Sequence, residues 1–175
     1  MFQPTRRRFL ASLVGAAALP TIVKASAREA RTLRFTHTHT GERLAIDYFR
    51  DGDYDVEALA EVNHYLRDFR TNDVHPIDTG LLDLLHTLAG VTATTTPFQV
   101  ISAYRSPKTN AMLRQRSEGV AAGSLHMQGL AIDIRLADVP LAKVRAAALA
   151  LRGGGVGYYP ASQFVHVDVG RVRAW

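Results

Sequence analysis

The sequence contains no cysteine, so a disulfide framework is excluded, and so is any zinc site built on thiolates. A metal, if one is bound, must be held by His, Asp or Glu. Long apolar runs are missing too. Once the N-terminus is set aside, no stretch reaches the roughly 18 residues that a membrane-spanning helix needs, and a soluble mature protein is expected. Internal repeats are absent, and no linker is long enough to divide the chain into two units. What remains is 175 residues with 47% apolar content, enough for the core of a single domain.

The N-terminus reads as an address. Thr5-Arg6-Arg7-Arg8-Phe9-Leu10 leads into a short apolar run from Leu10 to Leu19, and Ala25-Ser26-Ala27 offers the small residues a signal peptidase accepts. Arg6-Arg7 followed by Phe9-Leu10 resembles the twin-arginine type of export signal, so residues 1–27 are expected to be a cleaved signal and 28–175 a single domain in the periplasm. The competing reading is a retained membrane anchor, which the short apolar core disfavours.

Setting this segment aside changes the charge balance. Four of the 21 basic residues, Arg6, Arg7, Arg8 and Lys24, lie in it with no acidic residue, leaving 17 basic against 16 acidic side chains and a net charge of +1 in place of +5. Nucleic-acid binding thereby loses its electrostatic support.

Local patterns give the elements. Thr32 to Thr38 and Glu42 to Phe49 read as a hairpin about Thr40-Gly41, the second strand alternating Leu44, Ile46 and Tyr48. Asp55 can cap a helix carrying Val56, Leu59, Val62, Leu66 and Phe69, and Asp78 a second with Leu81, Leu82, Leu85 and Leu88, stopping at Gly90. Phe98 to Tyr104 has the pattern of a buried strand, and Ser106-Pro107 opens a short helix. Gly119 to Gly123 reads as a loop delivering Ser124 and His126. Leu130 to Leu136, Gly157 to Tyr159 and Phe164 to Val169 read as strands. Between the first two of these, Pro140 opens a helix with Val144, Ala148 and Leu151. With helices gathered early and strands late, the expected class is α+β, a small antiparallel sheet packed with helices.

Two of these strands carry chemistry. In Leu130 to Leu136 the apolar set Leu130, Ile132, Ile134 and Leu136 shares one face, which puts Asp133 on the other. In Phe164-Val165-His166-Val167-Asp168-Val169 the valines share a face, which puts His166 and Asp168 opposite them. If the strands are neighbours, Asp133 and His166 converge, and His126 can fold over the same spot. Two imidazoles and a carboxylate suit Zn²⁺ with a fourth position open to water, the arrangement of a catalytic site.

Ser124-x-His126-x-x-Gly129-x-Ala131-x-Asp133 with a later strand histidine resembles the signature of the M15-type zinc D,D-peptidases, which share their metal core with hedgehog domains. The branch of exported murein endopeptidases is more similar still. Its pattern resembles Thr38-His39-Thr40-Gly41-Glu42, Ser102-Ala103-Tyr104-Arg105-Ser106-Pro107 with Asn110, Gly123-Ser124-x-His126, and Phe164-Val165-His166-Val167-Asp168 with Val172-Arg173-Ala174-Trp175. These segments span nearly all of the chain after the signal.

The resemblance implies zinc ligands His126, Asp133 and His166, an Arg105 that binds the substrate carbonyl and its oxyanion, and a Ser124 that supports the site or touches substrate. It implies a peptidoglycan substrate and endopeptidase activity at peptide cross-links, including those between two diaminopimelate residues. One departure stands out. Many relatives place a glutamate base three residues before the last histidine, where this chain has Gln163. Asp168 is then the candidate base, with orientation of a metal ligand as its other possible role.

The remaining features read as structure. Arg105 has a competing reading as a salt-bridge partner near a strand end. His37 and His39 alternate with threonines on one strand face and are taken as structural, and His64, His75 and His86 receive no chemistry. Gly153-Gly154-Gly155 follows a helix and reads as its stop, not as a phosphate loop. Two other functions fit the same residues: a carboxypeptidase trimming a terminal amino acid, and a non-catalytic, zinc-stabilised wall-binding module. The sequence assigns no oligomeric state.

Overall fold

A computed structural model describes residues 30–117 and 119–175, so the expected export signal lies outside the described residues. The class is α+β: four α-helices pack with one eight-stranded sheet that does not close into a barrel. The sheet is larger than expected and not purely antiparallel. Its order is β3-β2-β1-β4-β5-β7-β6-β8, with β1 parallel to β4 and β6 parallel to β8.

β1 (Arg31–His37) and β2 (Arg43–Arg50) form the expected hairpin, turning at Gly41 with φ 74°. β3 (Asp53–Tyr54) extends it by two residues. α1 (Val56–Tyr65) starts where Asp55 accepts hydrogen bonds from the backbone N–H groups of Glu57 and Ala58. It stops short of Phe69, because after Leu66 the chain bends around the buried Asp68 carboxylate, which accepts from the Arg70 N–H. α2 (Thr79–Thr92) is capped by Asp78 and runs two residues past Gly90, ending at Ala93 in the left-handed region. Leu81, Leu82, Leu85 and Leu88 are all fully buried, as their helical spacing predicts.

β4 (Phe98–Ser102) leads to α3 (Pro107–Arg116), whose first turn Ser106 caps. The expected loop after Gly123 contains a single 3-10 turn, Leu125–Gln128. β5 (Ala131–Arg135), α4 (Leu141–Leu151), β6 (Gly155–Tyr159), β7 (Phe164–Asp168) and the two-residue β8 (Arg173–Ala174) complete the chain.

The core lies between the helices and one face of the sheet. Leu33, Phe35, Val100, Ile132, Ile134, Val165 and Val167 meet α2 and α4 there. Each large apolar side chain so buried contributes about 1.5–3 kcal/mol. Because successive strand residues point to opposite faces, burying Ile132, Ile134, Val165 and Val167 forces Asp133, His166 and Asp168 onto the other side. Among the described residues no helix is long and apolar enough to cross a membrane.

Candidate metal centre

β5 and β7 are adjacent and antiparallel, and their register sets Asp133 directly across from His166. His126 arrives from the 3-10 turn. That turn is held on two sides by the segment after β4: the Arg105 N–H donates to the His126 carbonyl at 3.1 Å, and the Ala103 carbonyl accepts from the His126 ring at 2.7 Å. The chain then leaves through Gly129, with φ 68°, where any Cβ would meet the Pro76 carbonyl oxygen at 2.1 Å.

His126 Nε2, His166 Nδ1 and Asp133 Oδ1 form a triangle with edges of 2.9, 3.1 and 3.3 Å, all three residues being buried. The tautomers follow from the outer partners. His126 Nδ1–H is committed to the Ala103 carbonyl and His166 Nε2–H to the Asp168 carboxylate at 3.0 Å. Both inward nitrogens therefore present lone pairs, and Asp133 adds an anionic oxygen. Three acceptors aimed at one another repel unless a cation lies among them. Donors about 2.0–2.2 Å from a tetrahedral zinc stand roughly 3.3–3.6 Å apart, so the observed triangle fits that ion after a small expansion. Among the described residues this is the one group of three His or carboxylate side chains close enough to hold a metal.

Burial works against the Asp133 carboxylate, but in the metal-free site a proton taken up on the inward nitrogen of His126 or His166 supplies charge and a hydrogen bond that hold its pKa well below the usual range. Burial likewise opposes charge on His166, while Asp133 and Asp168 together raise its pKa above the ordinary histidine value. Both shifts mark a site that rewards positive charge.

Asp168 has no exposed surface. It accepts from His166 Nε2, from the Gly155 and Gly170 N–H groups at 2.9 Å each, and from Arg173 at 2.7 and 3.1 Å. Burial raises its pKa, but these donors more than offset it and keep the carboxylate far below its usual range. It lies against the ring nitrogen of His166 that points away from Asp133. Of its two expected roles the geometry supports orientation of His166; the expected base role has no access to the triangle. Gly154 and Gly155 make room for this arrangement. A Cβ on Gly154 would meet the Asp168 carbonyl oxygen at 1.8 Å, and one on Gly155 would meet its carboxylate at 2.5 Å. α4 stops just before the glycine run, as expected, with Arg152 in the left-handed region at φ 52°, and Gly154 and Gly155 serve in addition the packing around Asp168.

Arg105 and Ser124 line the same cleft as the triangle, a space of about 490 Å³. The Arg105 guanidinium comes within 3.7 Å of Asp133 Oδ2, and its Nε is buried without a hydrogen-bond partner among the described residues. Burial presses its pKa down, yet an arginine remains protonated. Ser124 precedes the 3-10 turn, and its hydroxyl makes no capping bond. Gln163 stays out of the cleft. It sits in the β6–β7 turn with φ 56°, donating its side-chain amide to the Pro160 carbonyl, so position 163 brings nothing to the triangle.

Of the other histidines, His37 is buried and uses Nδ1 to accept from the His39 and Thr40 N–H groups. His39 stacks on Phe69 with ring centroids 4.5 Å apart. Neither joins the triangle. Sequence reasoning missed Asp68, a buried carboxylate that holds Ser106 through both its N–H and its hydroxyl and so fixes the segment bearing Arg105. No local pattern marks it. Tyr159 and Trp175, which line the cleft, also escaped notice, although Trp175 ends a segment that carried the family resemblance.

The family model described as "Peptidoglycan L,D-endopeptidase MepK", of the M15 peptidases, matches residues 25–175. The chain is 45% identical over 179 aligned positions to the peptidoglycan L,D-endopeptidase MepK of Escherichia coli K12, covering 99% of this chain and 98% of that protein. It is 42% identical over 165 positions to the probable peptidoglycan L,D-endopeptidase MepK of Haemophilus influenzae, covering 93% and 89%. With motif order, strand faces and full-length similarity in agreement, this chain belongs to the MepK-type branch of the M15 peptidase family.

Proposed function

We propose that the protein is a zinc-dependent peptidoglycan endopeptidase of the periplasm that cuts peptide cross-links at an L,D bond. The observation that carries this reading is the buried triangle of three proton-free acceptors on the floor of a cleft, with an unpaired Arg105 donor beside it. The names of its full-length relatives supply the substrate class. The family match beginning at residue 25 supports a mature domain that starts near residue 28.

His126, Asp133 and His166 would hold the metal. Zinc, when bound, supplies a Lewis acid and brings the pKa of water near 7. The protein's own groups do the rest. The Arg105 guanidinium lines the cleft with a terminal Nη beside Asp133, where it can bind the scissile carbonyl and strengthen that contact as negative charge builds on its oxygen. Asp168 keeps the His166 ring turned, with its Nδ1 lone pair inward. Ser124, with its hydroxyl uncommitted at the cleft wall, contacts the substrate chain.

Incubation with purified dimeric muropeptides tests the reading. An endopeptidase releases monomers, a carboxypeptidase releases a single amino acid, and a wall-binding module retains substrate without product. Replacing His126 or His166 by Ala should abolish both monomer release and zinc retention. Full activity in either variant would sink the assignment.

A further inference from the structure

The cleft has two unlike walls. One, from Gly119 to Ser124, is built of small residues; the other is aromatic, with Tyr159, Phe164 and Trp175 contributed by β6, β7 and the strand edge at β8. Tyr159 and Phe164 stack with centroids 4.5 Å apart, and the Trp175 ring stands 5.2 Å from that of His166. Trp175 is 47% exposed, an unusual state for the only tryptophan in the sequence.

It is also held in place. Its N–H donates to the Val156 carbonyl, and its own carbonyl accepts from the Tyr158 N–H. The indole Nε1–H donates to the Tyr159 hydroxyl at 2.7 Å, and the Arg173 guanidinium lies 4.8 Å from the ring. Beneath it, Gly157 leaves the seat flat, since a Cβ there would reach the indole at 2.7 Å. An open aromatic surface fixed in advance loses little freedom on binding. Because the indole donor is already used, the Trp175 ring itself offers contact to C–H groups. Asp133 is the one carboxylate side chain among the described residues lining the cleft and has Arg105 beside it, while Arg173 is paired with Asp168.

We propose that Trp175, backed by Tyr159 and Phe164, forms a subsite that grips an extended aliphatic side chain beside the scissile bond of the peptide. The proposal rests on the peptidase reading for its substrate but is tested apart from it. Trp175 is the sole tryptophan, so its emission reports the subsite directly. Titrating the zinc-loaded protein with a disaccharide-tripeptide monomer, a fragment that carries a stem peptide, should give a saturable change in emission. Peptide-free glycan oligomers should give none. A response to glycan alone, or to neither, overturns the subsite whether or not cross-links are cut.

In kinetics on dimeric muropeptides, Trp175→Ala should raise KM about tenfold with a smaller change in kcat and unchanged zinc content, and Trp175→Phe should recover most of the loss. Unaltered KM in Trp175→Ala, or loss of zinc in both variants, would show that the indole only props His166. Wild-type protein that binds the monomer but cuts no dimer would instead count against the endopeptidase reading and leave the subsite standing.

Discussion

At the scale of single residues, Asp168 is a carboxylate whose surroundings favour holding His166 over taking a proton. Four donor groups surround it, and its pKa is held down, so it is a poor proton acceptor near neutral pH. Asp168→Asn should therefore weaken zinc binding and activity together, by about 10- to 100-fold, as loss of an orienting partner does. Competition against a chelator measures the first and muropeptide turnover the second. Lost turnover with zinc affinity intact would restore the role of base to Asp168. Arg105 makes the complementary case. Arg105→Lys keeps the charge but loses the planar donor set, and kcat should fall by about 100-fold with zinc content unchanged. A kcat near wild type would reduce Arg105 to the salt-bridge partner of Asp133.

At the scale of elements, legibility followed the length of the repeating pattern. Period-two alternation in β5 and β7 is visible over five residues each, and it assigns Asp133 and His166 to one face before any pairing is known. The leucines of α2 are equally plain. Two-residue strands such as β3 and β8 carry no periodicity, and so the place of Trp175, just after β8, stayed hidden. α1 was overread because Leu66 and Phe69 continue its apolar spacing, while the chain is turned by contacts to Asp68 from residues far along the sequence. The second role of Gly154 and Gly155 is hidden for a similar reason: it is a close approach to Asp168, thirteen or more residues away. Gly154→Ala should accordingly cost stability on the order of 2–4 kcal/mol and lower zinc affinity, both read from denaturant titrations with and without metal. An alanine tolerated at that position would mean that β6 and β7 can part without loss.

At the scale of the whole molecule, protons and metal both bear on stability. Burial and the neighbouring His39 push His37 down to about pKa 4, and its Nδ1 must stay unprotonated to accept the turn's N–H groups. An unfolded histidine titrates near 6.5, so the unfolded chain binds the extra proton first. The stability that neutral His37 provides is complete above about pH 6.5 and is lost as pH falls toward 4. Each step of one in pKa is worth about 1.4 kcal/mol. His37→Asn keeps an acceptor and should flatten this window in thermal melts taken across pH; an unchanged slope would place the dependence elsewhere. Metal acts in the same way through the triangle. At a zinc concentration a hundred times Kd, binding adds about 2.7 kcal/mol, so chelation should lower Tm by roughly 5–10 °C and zinc should restore it. A Tm indifferent to chelation would mean that no ion is held there.

The pairing of Asp133 opposite His166 has one more consequence. A slip of β7 by one residue along β5 would bring Val165 or Val167 opposite Asp133, turn the valines toward the cleft and send His166 into the leucine core. No ion could bind such a chain. A metal held there would therefore act as a proofreader of strand alignment, giving its binding energy to the correctly paired sheet and withholding it from every shifted one.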